Sequence, residues 1–394
     1  MISAEEAKKA IIDNTVQLPV VSKPLEELYG YIAAKNIFSP VNLPPFNQSI
    51  MDGYAFIYKD YIGKCKIEIV GEAAAGGVFQ FELKSGQAVR IFTGAAIPAG
   101  ADCVVMQEKV SVSEKLLKIL DPELKPFSNI RKTGSQIKQN DLALISGTFL
   151  SAGAVGFLAS MGINSVSVYR RPEVSVIVTG SELVKPGNII NPGQIYESNS
   201  YSLIAALNSI NISPSKVQHV SDDETAISRL IENAAASSDV ILLSGGISVG
   251  DYDFVGTVLQ KLNVQTIFYK VKQKPGKPLY FGKIGNVLIF ALPGNPAAAL
   301  TCFYNYVYPA LRKMQGFTSF FLKEIELPIA ADYTKKKGLS NFLKSQIING
   351  AAMPLDGQES NTLSSFAVAD SLIYLPEESE SIKKGDLVKV LMLP

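Results

Sequence analysis

Val240-Ile241-Leu242-Leu243-Ser244-Gly245-Gly246-Ile247-Ser248-Val249-Gly250-Asp251-Tyr252-Asp253 starts as a buried strand, breaks into a glycine-rich loop and ends on two aspartates. Seventeen residues after Asp253 comes a basic run, Lys270-Val271-Lys272-Gln273-Lys274-Pro275-Gly276-Lys277-Pro278. A glycine-rich turn after an apolar strand exposes backbone N–H groups to an anion, and lysines locked between prolines hold positive charge in one place. That pairing suits phosphate or another oxyanion. The aspartates would repel such a ligand unless a divalent metal or a cation lay between them, so their presence points to metal-assisted chemistry.

The same rhythm extends outward over residues 171–316. Val174-Ser175-Val176-Ile177-Val178-Thr179 reads as another buried strand, Tyr201 to Ile210 as a helix, and Ala226 to Ala236 as a helix with Ile227, Leu230, Ile231 and Ala234 on one face. Strand alternating with helix predicts a three-layer α/β domain with a mostly parallel sheet. Such sheets hold ligands in the loops at the carboxyl ends of their strands. Thr179-Gly180-Ser181-Glu182 and Ser244 to Asp253 fall there.

Elsewhere the pattern differs. Residues 1 to about 38 read as two helices divided by Pro19 and Pro24, the first opened by a capping box, Ser3-Ala4-Glu5-Glu6. From Ile67 to Leu120 short Val/Ile/Phe-rich runs alternate with glycine and proline turns, as in a compact β insert. Ala152 to Met161 reads as a helix capped by Ser151 and stopped by Gly162, packing back on the first helices. Short strands return after Phe317, which predicts a small C-terminal β-barrel. The expected division is therefore 1–38 with 131–170 as a helical, elongated N-terminal domain, 39–130 as the insert, 171–316 as the α/β domain and 317–394 as the barrel.

At 394 residues the chain exceeds one ordinary core, and 47% apolar with 19% charged residues is a globular composition. A net charge of +1 excludes a general nucleic-acid or acidic-membrane binder, so any anion site is local. Three scattered cysteines, Cys65, Cys103 and Cys302, form neither a disulfide framework nor a zinc knuckle and fit a reducing cytoplasm. No apolar run reaches membrane-spanning length.

Each remaining motif carries an ordinary structural reading beside a functional one. Lys274 to Pro278 contains a standard Pro-Gly turn pair, yet the flanking prolines fix the ammonium directions and favour anion binding. In Leu292-Pro293-Gly294-Asn295-Pro296, Asn295 serves as N-cap and Pro296 as first helical residue, which explains the residues without a ligand. Asp222-Asp223-Glu224 needs one aspartate as a cap, leaving the other, Asp222, open between surplus and site. Asp52 in Ser49 to Ala55 and Thr93 in Arg90 to Gly94 each sit in a turn and are weak signals alone. His219 is the only histidine, so a histidine-rich metal centre is excluded and acid-base work falls to carboxylates, lysines or metal-bound water.

Together, Met51-Asp52-Gly53-Tyr54-Ala55, Arg90 to Pro98 with Thr93-Gly94, Thr179-Gly180-Ser181-Glu182-Leu183, Ser244 to Asp253, Lys274 to Pro278 and Leu292 to Pro296 resemble the MoeA family. These are molybdopterin molybdenumtransferases related to the C-terminal part of gephyrin, with a MogA-like α/β domain. The resemblance covers nearly the whole chain. It implies insertion of molybdenum from molybdate into adenylylated molybdopterin, with release of AMP and a requirement for Mg2+. Both substrates are oxyanions, which suits lysines and loop N–H groups, and carboxylates can hold Mg2+ on the phosphates. The pterin dithiolene supplies the sulfur ligands, so no cysteine cluster is needed.

Carried onto this chain, the family's functional carboxylates fall on Asp52, Glu182, Asp222 and Asp253, as catalytic residues and metal ligands, and its threonine on Thr93. Substrate contacts are expected from the loop residues Ser244, Gly245, Gly246, Ser248 and Gly250, and from Pro293, Gly294 and Asn295. The molybdate lysines match Lys274 and Lys277, with Lys270 upstream, while Arg131 and Ser360 match a family arginine and serine. Gln136 stands where aspartate is frequent, Ala298 where serine is common and Lys344 where arginine is usual, so contacts to molybdate are expected to differ there. The resemblance further implies a homodimer whose site combines the α/β and barrel domains of one subunit with the Asp52/Thr93 insert of the other. Transient contact with molybdopterin adenylyltransferase and apo-molybdoenzymes is implied too. Two other activities share this architecture: adenylylation of molybdopterin with ATP, and receptor scaffolding as in gephyrin. The Asp52 and Thr93 insert, the barrel and the full set of carboxylates and lysines favour molybdenum insertion over both.

Overall fold

The computed structural model describes residues 1–77, 80–247 and 254–394. The predicted loop residues Ser248, Gly250 and Asp253 lie outside the described residues. The chain divides into two compact units, one made of residues 1–21, 30–34 and 168–394, the other of 22–29 and 35–167.

Helix α1 (Ala4–Asn14) starts at the capping box as expected: the Glu6 N–H donates to Ser3 Oγ at 3.2 Å and the Ser3 N–H to Glu6 Oε2 at 2.8 Å. Its Ala4, Ala7 and Ile11 face is buried in the core of the first unit. Residues 1–21 and 30–34 thus fall in the first unit, the small residues of that face letting the helix seat closely in the α/β core, while 22–29 and 35–38 share the second unit with 131–167. The second expected helix does not form. Val20–Pro24 is a strand, Leu25–Glu27 only a 3-10 turn, and Gly30 at φ 84° ends the run.

The second unit is built on six strands, β1 (Gly53–Phe56), β2 (Ile67–Ala73), β3 (Gln87–Ile91), β4 (Cys103–Met106), β5 (Val110–Ser113) and β6 (Leu116–Ile119), in the order β4-β1-β3-β2-β6-β5. Only β2 and β3 run parallel. Alternate residues enter separate clusters, Ala55, Val89 and Val104 on one face, Phe56, Ala88 and Val105 on the other. Helix α2 (Ala152–Ser160) has Ser151 as N-cap, its Oγ accepting from Ala154 N–H at 3.3 Å, and Gly162 follows at φ 74°. It packs against the 3-10 turn Leu25–Glu27.

In the first unit the chain continues as β7 (Val174–Thr179), α3 (Asn199–Asn208), β8 (Lys216–Val220), α4 (Glu224–Ala235), β9 (Val240–Ser244), α5 (Phe254–Lys261), β10 (Gln265–Tyr269), β11 (Tyr280–Ile284) and β12 (Val287–Leu292). The sheet order is β8-β7-β9-β12-β11-β10, with the first four strands parallel and β11 alone reversed, antiparallel to both β12 and β10. Val174, Val176 and Val178 join one core with α1 and α3, while Ile177, Ile241 and Leu243 join the other with α4 and α5. Each buried branched side chain contributes about 1.5–3 kcal/mol, so both helical layers are needed to hold strands that are apolar on two faces.

After β12 come α6 (Pro296–Cys302), a π-helical turn Phe303–Val307 and α7 (Tyr308–Met314). The C-terminal sheet comprises β13 (Glu324–Pro328), β14 (Ser340–Ile348), β15 (Ala351–Pro354), β16 (Ser371–Leu375) and β17 (Leu387–Met392). Gln273–Lys274 adds alongside β14, and an Ile329–Ala352 bridge ties the chain after β13 to β15.

Candidate functional site

The sheet of the first unit reverses its winding between β7 and β9, the place where a doubly wound sheet opens a crevice. A cavity of 760 Å³ lies there, lined by Thr179, by Ser244 to Ile247 and by Pro293 to Pro296, with Glu182 and Asp222 at its wall. Glycines let the loop after β9 approach so closely. Gly245 at φ 92° and Gly246 at φ 62° lie against Thr179, and a Cβ on either would collide with it.

The elements hold the polar groups in defined roles. Asp223, not Asp222, caps α4, its Oδ1 accepting from Ala226 N–H at 2.7 Å. Asp222 is therefore released to the cavity, where its Oδ2 accepts from Ser181 N–H at 3.2 Å. Asn199 at the start of α3 donates through Nδ2 to Ser244 Oγ and to the Gly294 carbonyl, both at 2.8 Å, bridging the loops after β9 and β12. Glu197 is 2% exposed and accepts from Ser200 N–H at 2.7 Å and Ser200 Oγ at 2.5 Å. Among the described residues, Thr179 Oγ1 and Asn199 Oδ1 are buried with no hydrogen-bond partner, beside the cavity that their residues line.

The lysine turn is held from beneath. Gln273, 1% exposed, donates through Nε2 to the Pro275 carbonyl at 3.0 Å and the Gly276 carbonyl at 3.2 Å, and the Tyr306 hydroxyl donates to its Oε1. Gly276 at φ 89° packs on Cys302 where a Cβ would not fit. Lys274 and Lys277 stand exposed on this turn and Pro278 lines the cavity. Lys270, at φ 71°, lays its ammonium over the Tyr269 ring at 4.7 Å. Burial pushes the Cys103 and Cys302 thiols upward in pKa, so neither is a thiolate nucleophile.

Asn295 occupies the N-cap position of α6 with Pro296 as its first residue, as expected, but the Asn295 side chain makes no cap bond. Its Nδ2 donates instead to Ser360 Oγ at 2.8 Å, and the Ser360 carbonyl accepts from Ala298 N–H at 3.0 Å, satisfying a helix-start amide. Ser360 thus reaches the cavity rim, with Asn361 in its wall. At the three departures, Ala298 is buried, Gln136 sits exposed in the second unit, and Lys344 is buried at 1% exposure. Burial pushes the Lys344 ammonium below the usual lysine pKa, opposed by Glu359.

The second unit carries its own constellation. Thr93 donates through both N–H and Oγ1 to Asp52 Oδ1, each at 2.7 Å. Those bonds, the backbone one first, hold the Asp52 carboxyl below its ordinary value, with Arg90 assisting. Gly53 permits the turn, since a Cβ there would collide with the Val105 carbonyl. Arg131 lies opposite Gln48 in the short ladder that also pairs Ile130 with Ser49. Asp52, Thr93 and Arg131 therefore share one unit, and Glu182, Asp222, Ser244, the three lysines and Ser360 share the other. Among the described residues no group of three His, Cys, Asp or Glu side chains forms a metal cage. Mg2+ needs less, one or two carboxylates beside phosphate oxygens and water, and Glu182 with Asp222 on one cavity meets that count.

Sequence reasoning missed Asn199, Glu197 and Asn361. Asn199 and Glu197 flank Ser198 at a helix start and look like capping residues; only their burial, 7% and 2% exposed, sets them apart.

Family models match in three segments: the MoeA N-terminal region (domain I and II) over residues 2–162, a probable molybdopterin binding domain over 175–313 and the MoeA C-terminal region (domain IV) over 326–393. A Haemophilus influenzae protein named molybdopterin molybdenumtransferase is 34% identical over 99% of this chain and 98% of its own length. The chain belongs to the MoeA family. A second family member of that name, from Nostoc, is 34% identical over 93% of this chain and 87% of its own. Two structures of molybdopterin biosynthesis MoeA protein from Pyrococcus horikoshii match with TM-scores of 0.86 and 0.82 at 30% and 28% identity, covering 100% of this chain and 99% and 100% of theirs. No helix among the described residues is long and apolar enough to cross a membrane.

Proposed function

We propose that this chain is a molybdopterin molybdenumtransferase of molybdenum cofactor biosynthesis, inserting molybdenum from molybdate into adenylylated molybdopterin with release of AMP. The observation that carries this is a 760 Å³ cavity at the switch point of the sheet, with carboxylates in its wall and a braced lysine turn adjoining it. Family relatives matched over almost their full lengths bear that name.

The pterin nucleotide lies in the cavity, where the loop N–H groups of Gly245 and Gly246 meet its phosphates. Lys274 and Lys277 hold molybdate as point charges. One water adds across the phosphoanhydride P–O bond, so AMP and a phosphate monoester form. The two dithiolene sulfurs then bind molybdenum, their two protons leaving with one molybdate oxygen as water, so that molybdenum keeps its oxidation state. Glu182 and Asp222, with Asp52 and Asp253 as further family positions, would hold Mg2+, which when bound draws negative charge from the phosphates. Asp52, kept ionised by Thr93, serves the same charge balance.

The proposal includes a cytoplasmic homodimer in which the Asp52–Thr93 pair of one protomer completes the cavity of the other, and transient contact with molybdopterin adenylyltransferase and apo-molybdoenzymes. The insert 39–130, the α/β domain 171–316 and a barrel in 317–394 are part of it, the last supported by the Ile329–Ala352 bridge. The test is release of AMP from adenylylated molybdopterin by purified protein as molybdate is titrated. Molybdate-dependent AMP is expected. Pyrophosphate from molybdopterin and ATP, with no molybdate-dependent AMP, would instead identify an adenylyltransferase.

A further inference from the structure

We propose that Lys344 is a positioning residue, whose buried ammonium holds the 357–362 loop so that Ser360 meets the rim of the cavity and Asn361 stands in its wall. The proposal rests on the transferase reading only for its turnover measurement.

Lys344 lies on β14 and donates through Nζ to the carbonyls of Gly357 at 2.5 Å, Thr362 at 3.0 Å and Glu359 at 3.2 Å. An ammonium has three hydrogens and no acceptor. All three are engaged inside the loop, so Lys344 has no donor left for an oxyanion. An unpaired buried charge is strongly unfavourable, and the converging carbonyls compensate it together with the Glu359 carboxylate, with the Phe366 ring 5.9 Å away.

Neighbouring bonds make the loop a single body. Gln358 accepts from Lys344 N–H at 3.0 Å and donates to the Lys344 carbonyl at 2.8 Å and the Leu355 carbonyl at 2.7 Å. Ser365 Oγ donates to the Asp356 and Gly357 carbonyls at 2.5 and 2.9 Å. The loop then meets the cavity rim at two points, Ser360 Oγ to Asn295 and the Ser360 carbonyl to Ala298. A chain of short contacts therefore runs from a buried cation in the sheet to a substrate-facing wall. A guanidinium is planar and forked, so arginine would retain the charge without matching three carbonyls that converge on one point.

The experiment compares wild type with Lys344→Met, Lys344→Arg and Ser360→Ala. Amide exchange is followed at Ala298 and Thr362 in ligand-free protein, and kcat/KM is measured for adenylylated molybdopterin. Both Lys344 variants should accelerate exchange at Ala298 and Thr362 about tenfold or more, leave the β7 and β9 amides protected, and lower kcat/KM. That loss should shrink in a Ser360→Ala background, since the effect passes through Ser360. Lys344→Gln, an uncharged side chain with two donors, makes the same comparison if the methionine variant does not fold. Unchanged Ala298 exchange in the folded variants overturns the proposal. So does an arginine variant equal to wild type beside a defective methionine one, which would mark a direct charge contact. Exchange needs no substrate, so if wild type itself releases no AMP the transferase reading fails while the positioning role is still judged.

Discussion

Replacing Asn199 tests whether the cavity is held open by the bridge it makes. In Asn199→Ala two hydrogen bonds of 2.8 Å, to Ser244 Oγ and the Gly294 carbonyl, disappear. Each is worth about 1 kcal/mol net, and a carbonyl left dry would add about 1–3 kcal/mol. Water in the cavity reaches the carbonyl, so the low end applies and the loss is about 2–3 kcal/mol. A unit of this size shifts in Tm by about 2–4 °C per kcal/mol, so scanning calorimetry should show a fall of about 5–10 °C in the transition of that unit. Asn199→Asp separates hydrogen bonding from packing because it keeps the shape. Its carboxylate would turn an oxygen toward the Gly294 carbonyl in a buried place, which raises its pKa above the ordinary value of about 3.9. The native state then keeps a proton that the unfolded chain releases, so stability is full below the unfolded pKa and is lost as pH rises toward the folded one. The aspartate variant should therefore lose more, relative to wild type, at pH about 8 than at pH about 5, and the alanine variant should lose equally at both. An alanine variant melting within about 1 °C of wild type, or an aspartate variant with no extra loss at high pH, would refute the bridge.

Asp52→Ala should fold yet release no AMP, and turnover at the wild-type rate by the folded variant would reduce Asp52 to a turn residue. Thr93 holds the Asp52 carboxyl low, so the clamp is present above about 3.9 and is lost as pH falls through the lowered value; Thr93→Val should lose AMP release at a higher pH than wild type, and superimposable acid limbs would contradict this. Lys274→Ala and Lys277→Ala should raise the half-saturating molybdate concentration at least about tenfold, with partial rescue at high molybdate. A fall in pterin affinity with molybdate dependence unchanged would assign these lysines to the nucleotide phosphates. Sedimentation at micromolar concentration should find two chains, and a fully active monomer would remove the shared site.

The parallel sheet was legible because its strands are apolar on both faces, as in Val174 to Thr179 and Val240 to Leu243, and because Ala226 to Ala236, apolar along one face, marks a helix between them. The capping box of α1, the Ser151 cap and the spare aspartate beside Asp223 were equally readable, since a cap involves residues three apart in the chain. The expected helix before residue 38 failed because periodicity cannot weigh Gly30 against the strand pairing of Val20–Pro24.

Local pattern therefore determined the alternation of strand and helix in the α/β region, the glycine-rich segment after β9, the lysine turn and the family to which the chain belongs. Tertiary structure alone decided which polar residues work together. Asn199 and Gly294 are 95 positions apart and Asn295 and Ser360 are 65 apart, yet each pair is joined by a 2.8 Å hydrogen bond. The same holds for Lys344, a mid-strand residue whose sequence shows a charge and nothing of the three carbonyls that surround it. Backbone propensity acts over a few residues, whereas a buried polar group must find its partner wherever the fold has placed one.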